Sequence, residues 1–498
     1  MAGKNWIILA LALGWILTLF FHISKRGTHP EPGSAQPENF EQEPPENATA
    51  AEPLTSYEKY PYHSVRNLLI RMQQAEGLET AAIGFCLIGE DPEPLVQWNA
   101  DRGLIPASTL KTITSATALE RLGPDFSFKT RLLAPGKPDA SGTIEGDLVF
   151  VGGGDPTLSS QDLKRWAVNL RNAGVKKITG RIIGDARFFP ESIAVDAWDW
   201  GDVSNYYGAG ASGLNLDHNR FLARFKPAEQ PGDRADFLGT DPKLEGVTYV
   251  NRMLTGSPDS GDGGSVYGGP YNNTITFRGT VPMGPEFVIQ GAVPDPALHA
   301  AQSLTRFLRL EGISVGRPPT TRRLLTSLEQ KMPSPTVALE SHQSESLFKI
   351  ITHLHKVSDN VEAECLFRYL GQRFRSRPAD LIREHWGQKD ISFLGLRMED
   401  GSGLARANLI RPRDLAQVVY HTRKGVHGDL FYASLNAYFS GQVRWKGGAM
   451  SRVRCYTGFV KGQSGQEYTF ALMINNHDGG QEVIRHWRTA LINDLLKL

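Results

Sequence analysis

Ser108 and Lys111 stand three residues apart in Pro106-Ala107-Ser108-Thr109-Leu110-Lys111. On a helix that spacing puts both side chains on one face, one turn apart. A serine hydroxyl is a poor nucleophile until an adjacent base takes its proton. A lysine amine can be that base when burial or a nearby cation lowers its pKa from about 10.4 toward neutrality. Leu104, Ile105, Leu110, Ile113 and Leu119 supply apolar walls for such burial. The pattern alone is cheap, because Ser-x-x-Lys recurs at Ser56/Lys59 and Ser346/Lys349.

The surrounding elements separate the three pairs. Pro30 to Pro61 holds seven prolines and seven glutamates with few apolar residues. Such a segment cannot offset its ordering entropy by burial, so 27–61 reads as a disordered Pro/Glu-rich tether without walls around Lys59. Leu347, Ile350, Ile351 and Leu354 fall at helical spacing, which leaves Ser346/Lys349 on the solvated face of an ordinary helix. Ser108 differs. Ala81 to Ile88 reads as a buried strand and Leu95 to Trp98 as its hairpin partner. The loop 99–104 then delivers Ser108 to a helix start, where the helix dipole favours developing negative charge.

At 498 residues the chain is too long for one ordinary domain. Its 54 Lys+Arg balance 53 Asp+Glu, which argues against nucleic acid as a partner. Cys86, Cys365 and Cys455 sit among apolar neighbours and read as small buried hydrophobes. Neither Cys-x-x-Cys nor His-Glu-x-x-His occurs, so no metal site and no disulfide framework is indicated. Trp6 to Ile23 is an eighteen-residue run without formal charge, preceded by Lys4 and closed by Lys25 and Arg26. Residues 1–26 therefore read as a signal sequence or membrane anchor, with an uncleaved anchor favoured, and everything downstream as exported.

From Tyr62 the sequence turns globular. His63 to Glu76 has helical spacing. Thr143 to Val151, a helix through Leu163, Trp166 and Leu170, and Lys177 to Ile183 form a strand-helix-strand unit. Asp233 to Pro282 reads as a small β-rich part, and Ala300 to Leu310 as helical. Ser358-Asp359-Asn360 lies at a tight junction between two helices. Gln442 to Met450, Cys455 to Val460 and Tyr468 to Ile474 read as three adjacent strands, followed by a closing helix.

Three motifs now stand in order: Ser108-x-x-Lys111, Ser358-Asp359-Asn360, and Lys446-Gly447-Gly448 on a strand. They resemble the signature of penicillin-binding proteins and serine β-lactamases. Ser108 and Ser358 are 250 residues apart, room for inserted domains. That layout is similar to the D-alanyl-D-alanine carboxypeptidase/endopeptidase family typified by penicillin-binding protein 4 (peptidase family S13). Val151 to Leu158, Gly208 to Asn219, Asp400-Gly401-Ser402-Gly403-Leu404 and Ala471 to Asn476 extend the likeness, which spans 62–498.

The resemblance implies an α/β fold. A penicillin-binding-protein/β-lactamase-like catalytic domain, an antiparallel sheet flanked by helices, would be split by a large inserted α+β region. The expected boundaries are 62–128 for its first part, 129–333 for the insertion and 334–498 for its second part. It also implies residue roles. Ser108 attacks the D-alanyl carbonyl of a peptidoglycan stem peptide, Lys111 takes its proton, and Ser358 relays a proton to the leaving amine. Asn360 holds the substrate amide, and Lys446 supplies charge near the substrate carboxylate. Gly448 and Ala449 border the substrate, and the Ser108 and Ala449 N–H groups form the oxyanion hole. Asp155 and Arg406 would recognise a diamino-acid side chain. β-Lactams would be covalent inhibitors, no metal or organic cofactor is implied, and the location is periplasmic, soluble or tethered through residues 6–23. One position departs from the family: Gly447 stands where it has a threonine, which points to weakened carboxypeptidase turnover. Two other readings follow, a peptidoglycan-binding protein that has lost turnover and a β-lactamase-like hydrolase.

Overall fold

The computed structural model describes residues 62–498. The expected anchor, the tether and Ser56/Lys59 lie outside the described residues. Among these residues, no helix is long and apolar enough to cross a membrane.

The element that positions everything else is a six-stranded antiparallel sheet. Its strands are β1 (Ala82–Ile88), β2 (Pro94–Trp98), β3 (Asn436–Tyr438), β4 (Val443–Met450), β5 (Val453–Lys461) and β6 (Glu467–Asn475), in spatial order β3-β4-β5-β6-β1-β2. The two ends of the described chain meet at its centre, with Ala82 opposite Asn475 and Ile88 opposite Thr469. Successive side chains of a strand point to opposite faces. Here both faces are covered, so β1 and β6 read as unbroken apolar runs. Phe85, Leu87, Phe470 and Leu472 pack against α1 (His63–Gln73) and α6 (Gln481–Leu496). Cys86, Ile88, Ala471 and Met473 face the second helical layer. That layer contains α2 (Lys111–Leu122), α3 (Leu347–Val357), α4 (Asn360–Phe374) and α5 (Pro412–Lys424). Full burial of one such aliphatic or aromatic side chain is worth about 1.5–3 kcal/mol.

Helix α2 is the centre of the second layer, and every residue from Lys111 to Leu119 is buried. Its sequence, Lys-Thr-Ile-Thr-Ser-Ala-Thr-Ala-Leu, is polar for such a place. Buried hydroxyls need partners, and these have them: Thr112 and Thr117 donate to the Thr109 and Ile113 carbonyls, and Thr114 donates to Gly401 O.

The residues between the two halves of the sheet build separate cores. One surrounds a five-stranded sheet of Lys129–Ala134, Leu148–Val151, Ile182–Asp185, Thr320–Thr321 and Val337–Gln343, covered by helices Ser160–Asn172 and Pro296–Leu310. Two three-stranded sheets spanning 220–292 enclose another, lined by Phe221, Phe225 and Phe277. The inserted sheet runs past the expected limit of 333. Val337–Gln343 pairs antiparallel with Lys129–Ala134, so this sheet holds both ends of the insertion. The strand expected over 143–151 is two short ones, Thr143–Ile144 and Leu148–Val151, parted by Glu145-Gly146-Asp147.

Candidate active site

Ser108 sits on a 3-10 turn, Ala107–Leu110, that runs directly into α2. The segment before it is fastened to the central strand. Asn475 at the end of β6 accepts from Ile105 N at 2.6 Å and donates to Ile105 O at 3.0 Å. Ala107 has φ +45°, a left-handed backbone that costs a non-glycine residue roughly 1–2 kcal/mol. Two glycines let other backbones close on this turn. A Cβ at Gly448 of β4 would stand 2.7 Å from Ser108 N, and one at Gly403 would stand 1.9 Å from Ala107 O. Gly403 also needs its own φ of +84°. β3 pairs only with Val443–Trp445, so 446–450 meets the turn without a strand on that side among the described residues.

Lys111 Nζ lies 2.9 Å from Ser108 Oγ, 2.6 Å from Asn360 Oδ1 and 2.6 Å from Ser402 O. The last two atoms can only accept. A neutral amine has two N–H groups and one lone pair. Spending the N–H groups on Asn360 and Ser402 directs the lone pair at the Ser108 hydroxyl. Lys111 is wholly buried, and burial pulls its pKa down to about 7, against the opposing charges of Asp400 and Asp359. A group poised near neutrality is what base catalysis requires.

Ser358 occupies the junction of α3 and α4 in a left-handed conformation, φ +60°. Lys446 Nζ donates to its Oγ at 2.9 Å and to Gly447 O at 2.6 Å. Burial, then the nearness of Lys111, lowers the Lys446 pKa well below its ordinary value. Asn360 Nδ2 donates to Tyr207 O at 2.7 Å, which brings the insertion to the edge of the site. Among the described residues, no cluster of three His, Cys, Asp or Glu could hold a metal.

The profile of the D-Ala-D-Ala carboxypeptidase 3 (S13) family matches residues 65–493. The chain belongs to this family. This S13 chain is 29% identical over 422 residues to a D-alanyl-D-alanine carboxypeptidase of Actinomadura sp., covering 78% of this chain and 76% of the relative. It is 25% identical to D-alanyl-D-alanine carboxypeptidase DacB of Haemophilus influenzae, covering 80% and 86%. Its fold matches the crystal structure of penicillin binding protein 4 from Haemophilus influenzae with TM-score 0.73 at 21% identity, over 86% of this chain and 99% of that one. The α/β fold with an antiparallel sheet between helical layers is thus that of S13 enzymes, and the chain is a serine-type D-alanyl-D-alanine carboxypeptidase.

In this S13 chain Ser108, Lys111 and Asn360 are joined by hydrogen bonds, Ser358 and Lys446 by another, and Lys446 lies near enough to Lys111 for the one charge to bear on the other. Asp155 is placed elsewhere. It is 2% exposed, its Oδ1 accepts from Thr157 N and Oγ1 at 2.8 Å, and its Oδ2 lies 3.3 Å from His342 Nε2. Burial would push His342 down, but Asp155 and Asp162 more than offset it and raise its pKa. Asp155 ties Val337–Gln343 to the inserted core instead of offering a free carboxylate. The acidic partner of Arg406 is Asp199, with Nε 3.2 Å from Oδ2, and the same guanidinium donates to Ser451 O just beyond β4. Asp202 lies nearby, its pKa raised by burial and then by Asp199, against Tyr207 and Arg406. The sequence does carry a signal for this pair, Trp198-Asp199-Trp200-Gly201-Asp202, two acids between aromatics in a stretch without helical or strand period.

Proposed function

We propose that this S13 enzyme hydrolyses the D-alanyl-D-alanine end of peptidoglycan stem peptides through an acyl-enzyme on Ser108. The geometry of Lys111 carries the reading: two N–H groups committed to Asn360 and Ser402, and the lone pair facing Ser108 Oγ at 2.9 Å. Ser108 Oγ attacks the penultimate D-alanyl carbonyl and passes its proton to Lys111 Nζ. The N–H groups of Ser108 and Ala449 hold the oxyanion, a contribution of about 3–4 kcal/mol per donor. The C–N bond then breaks, and the leaving amine takes the Ser358 hydroxyl proton, which Lys446 replaces. The proton held by Lys111 passes to Lys446, which returns both amines to their starting states. Water then attacks the ester, and Lys111 takes the water's proton and gives it to Ser108 Oγ, which leaves as the alcohol. The substrate carboxylate raises the Lys446 pKa as it arrives, by placing an anion beside a buried amine.

Asp199 or Asp202 and Arg406 fit an amphoteric side chain in the stem peptide, the acid for its ammonium and the guanidinium fork for its carboxylate. Where the leaving amine belongs to the side chain of a neighbouring stem, the same chemistry cleaves a cross-link. β-Lactams would acylate Ser108 in the substrate's place. The substrate lies outside the cytoplasmic membrane, and the apolar run at 6–23 supports export to the periplasm, with or without a retained anchor.

The test is labelling by a fluorescent penicillin. Wild type acylates within minutes and Ser108→Ala does not. Equal labelling of the two would overturn the assignment and favour a peptidoglycan-binding protein without turnover.

A further inference from the structure

Lys111 has two acceptors, and each rides on a short segment that a buried aspartate shapes. Asn360 opens α4, and Asp359 is the N-cap of that helix, with Oδ1 accepting from Glu362 N at 2.9 Å. Ser402 lies in a loop that Asp400 folds. Asp400 Oδ1 accepts from the N–H groups of Ser402 at 3.0 Å and Gly403 at 2.6 Å, and from Asn408 Nδ2 at 3.2 Å. Its Oδ2 accepts from Ala405 N at 2.7 Å. The two aspartates are 2% and 0% exposed.

Each has further donors, and in both cases these come from the insertion. Trp198 Nε1 donates to Asp400 Oδ2 at 2.7 Å. Arg220 Nη2 donates to Asp359 Oδ2 at 2.8 Å, and His218 Nδ1 lies 3.2 Å from the same oxygen. Buried carboxylates persist only when fully paired. The sequence neighbour of Trp198 is Asp199, which meets Arg406.

We infer that the insertion, through Trp198 and Arg220, holds Asp400 and Asp359 as positioning residues for Lys111, fixing where its amine points and how tightly it keeps its proton. The inference rests on Lys111 acting as the base. Asp400 and Asp359 are the anions that oppose the effect of burial on Lys111. Other ionisable groups surround this centre. Lys446 and Lys111 both bear on His355, whose pKa is pushed down to about 3 by burial and then by these lysines, so it is neutral there. Glu364 accepts from Gly401 N beside Asp400 and pairs with Arg368. Removing the charge of Asp400 or Asp359 leaves burial less opposed, and the neutral amine then persists to lower pH.

The experiment is the pH dependence of the second-order rate of acylation by a fluorescent penicillin, on the full chain. Wild type, Asp400→Asn, Asp359→Asn and Trp198→Phe are compared, with Ser108→Ala as the blank. The rate rises with pH as Lys111 loses its proton. In both Asp→Asn variants this limb moves to lower pH, by about one unit for loss of a nearby charge. Trp198→Phe keeps both carboxylates but strips a donor from Asp400, whose charge is then less neutralised, so the limb moves to higher pH. A merely structural role lowers the plateau and leaves the limb in place, and that result overturns the inference. Where an Asp→Asn variant does not fold, Trp198→Phe decides, and an unmoved limb overturns it. Failure of the base assignment looks different: wild type then shows no limb near neutrality, or Ser108→Ala still labels.

Discussion

Lys111 is held as a neutral amine at a cost in folding. In the unfolded chain its pKa is about 10.4, and in the fold burial brings it to about 7. Between those values the unfolded chain binds more protons, so stability rises with pH across the window, and below pH 7 the penalty is present in full. Lys111→Met should therefore melt above wild type at pH 6, with the gap closing toward pH 10, in calorimetric scans. A gap that does not change with pH would show that the amine is not buried neutral. The left-handed Ala107 and Ser358 are a second sign of cost, one beside the nucleophile and one the relay itself. None of this is visible in residue identities. Ser108, Lys111, Ser358 and Lys446 stand out in the sequence because their types are chemical. Ser402 contributes a carbonyl that any residue has, and Asp400 acts through a loop whose folding no periodicity reports.

Among the elements, those with regular period were the legible ones. The three C-terminal strands lie within a residue or two of their expected bounds, at Val443–Met450, Val453–Lys461 and Glu467–Asn475, and the expected closing helix follows at Gln481–Leu496. The loop 198–208 carries Asp199 and Asp202 and has no period, and the family resemblance points instead to Asp155, in a conspicuous glycine-proline turn. Strand β4 carries Gly447, the position where the family resemblance leads one to expect a threonine. Lys446 and Gly448 lie on the face toward the Ser108 turn, and between them Gly447 stands opposite Tyr456 with no hydroxyl to offer a substrate carboxylate. Gly447→Thr should raise carboxypeptidase kcat/KM on a D-alanyl-D-alanine peptide about tenfold, the scale of one added hydrogen bond to a charged group. Release of D-alanine measures it, and unchanged turnover would mean another group already holds the carboxylate.

At the scale of the molecule, the inserted region meets the catalytic body through defined polar contacts: Tyr207 on Asn360, Arg220 on Asp359, Trp198 on Asp400 and Asp199 on Arg406. The last of these is the exposed one. Arg406→Leu should raise KM for stem peptides with an amphoteric third side chain by about tenfold or more, the loss of a charge-assisted bond. It should barely change penicillin acylation, and an equal loss on both substrates would place Arg406 in the chemistry and not in selection. The pairing of β1 with β6 has a consequence for how the enzyme comes into being. Ala82 finds its neighbour only at Asn475. Long-range pairing of this kind is slow to form and pays its loop-closure entropy first. A chain emerging from its N-terminus displays the apolar β1, paired on one edge with β2 alone, until nearly all of its length has followed, while the inserted sheet can close once residue 343 is out. The inserted sheet is thus free to fold before the catalytic sheet closes, and the nucleophile is set in place last.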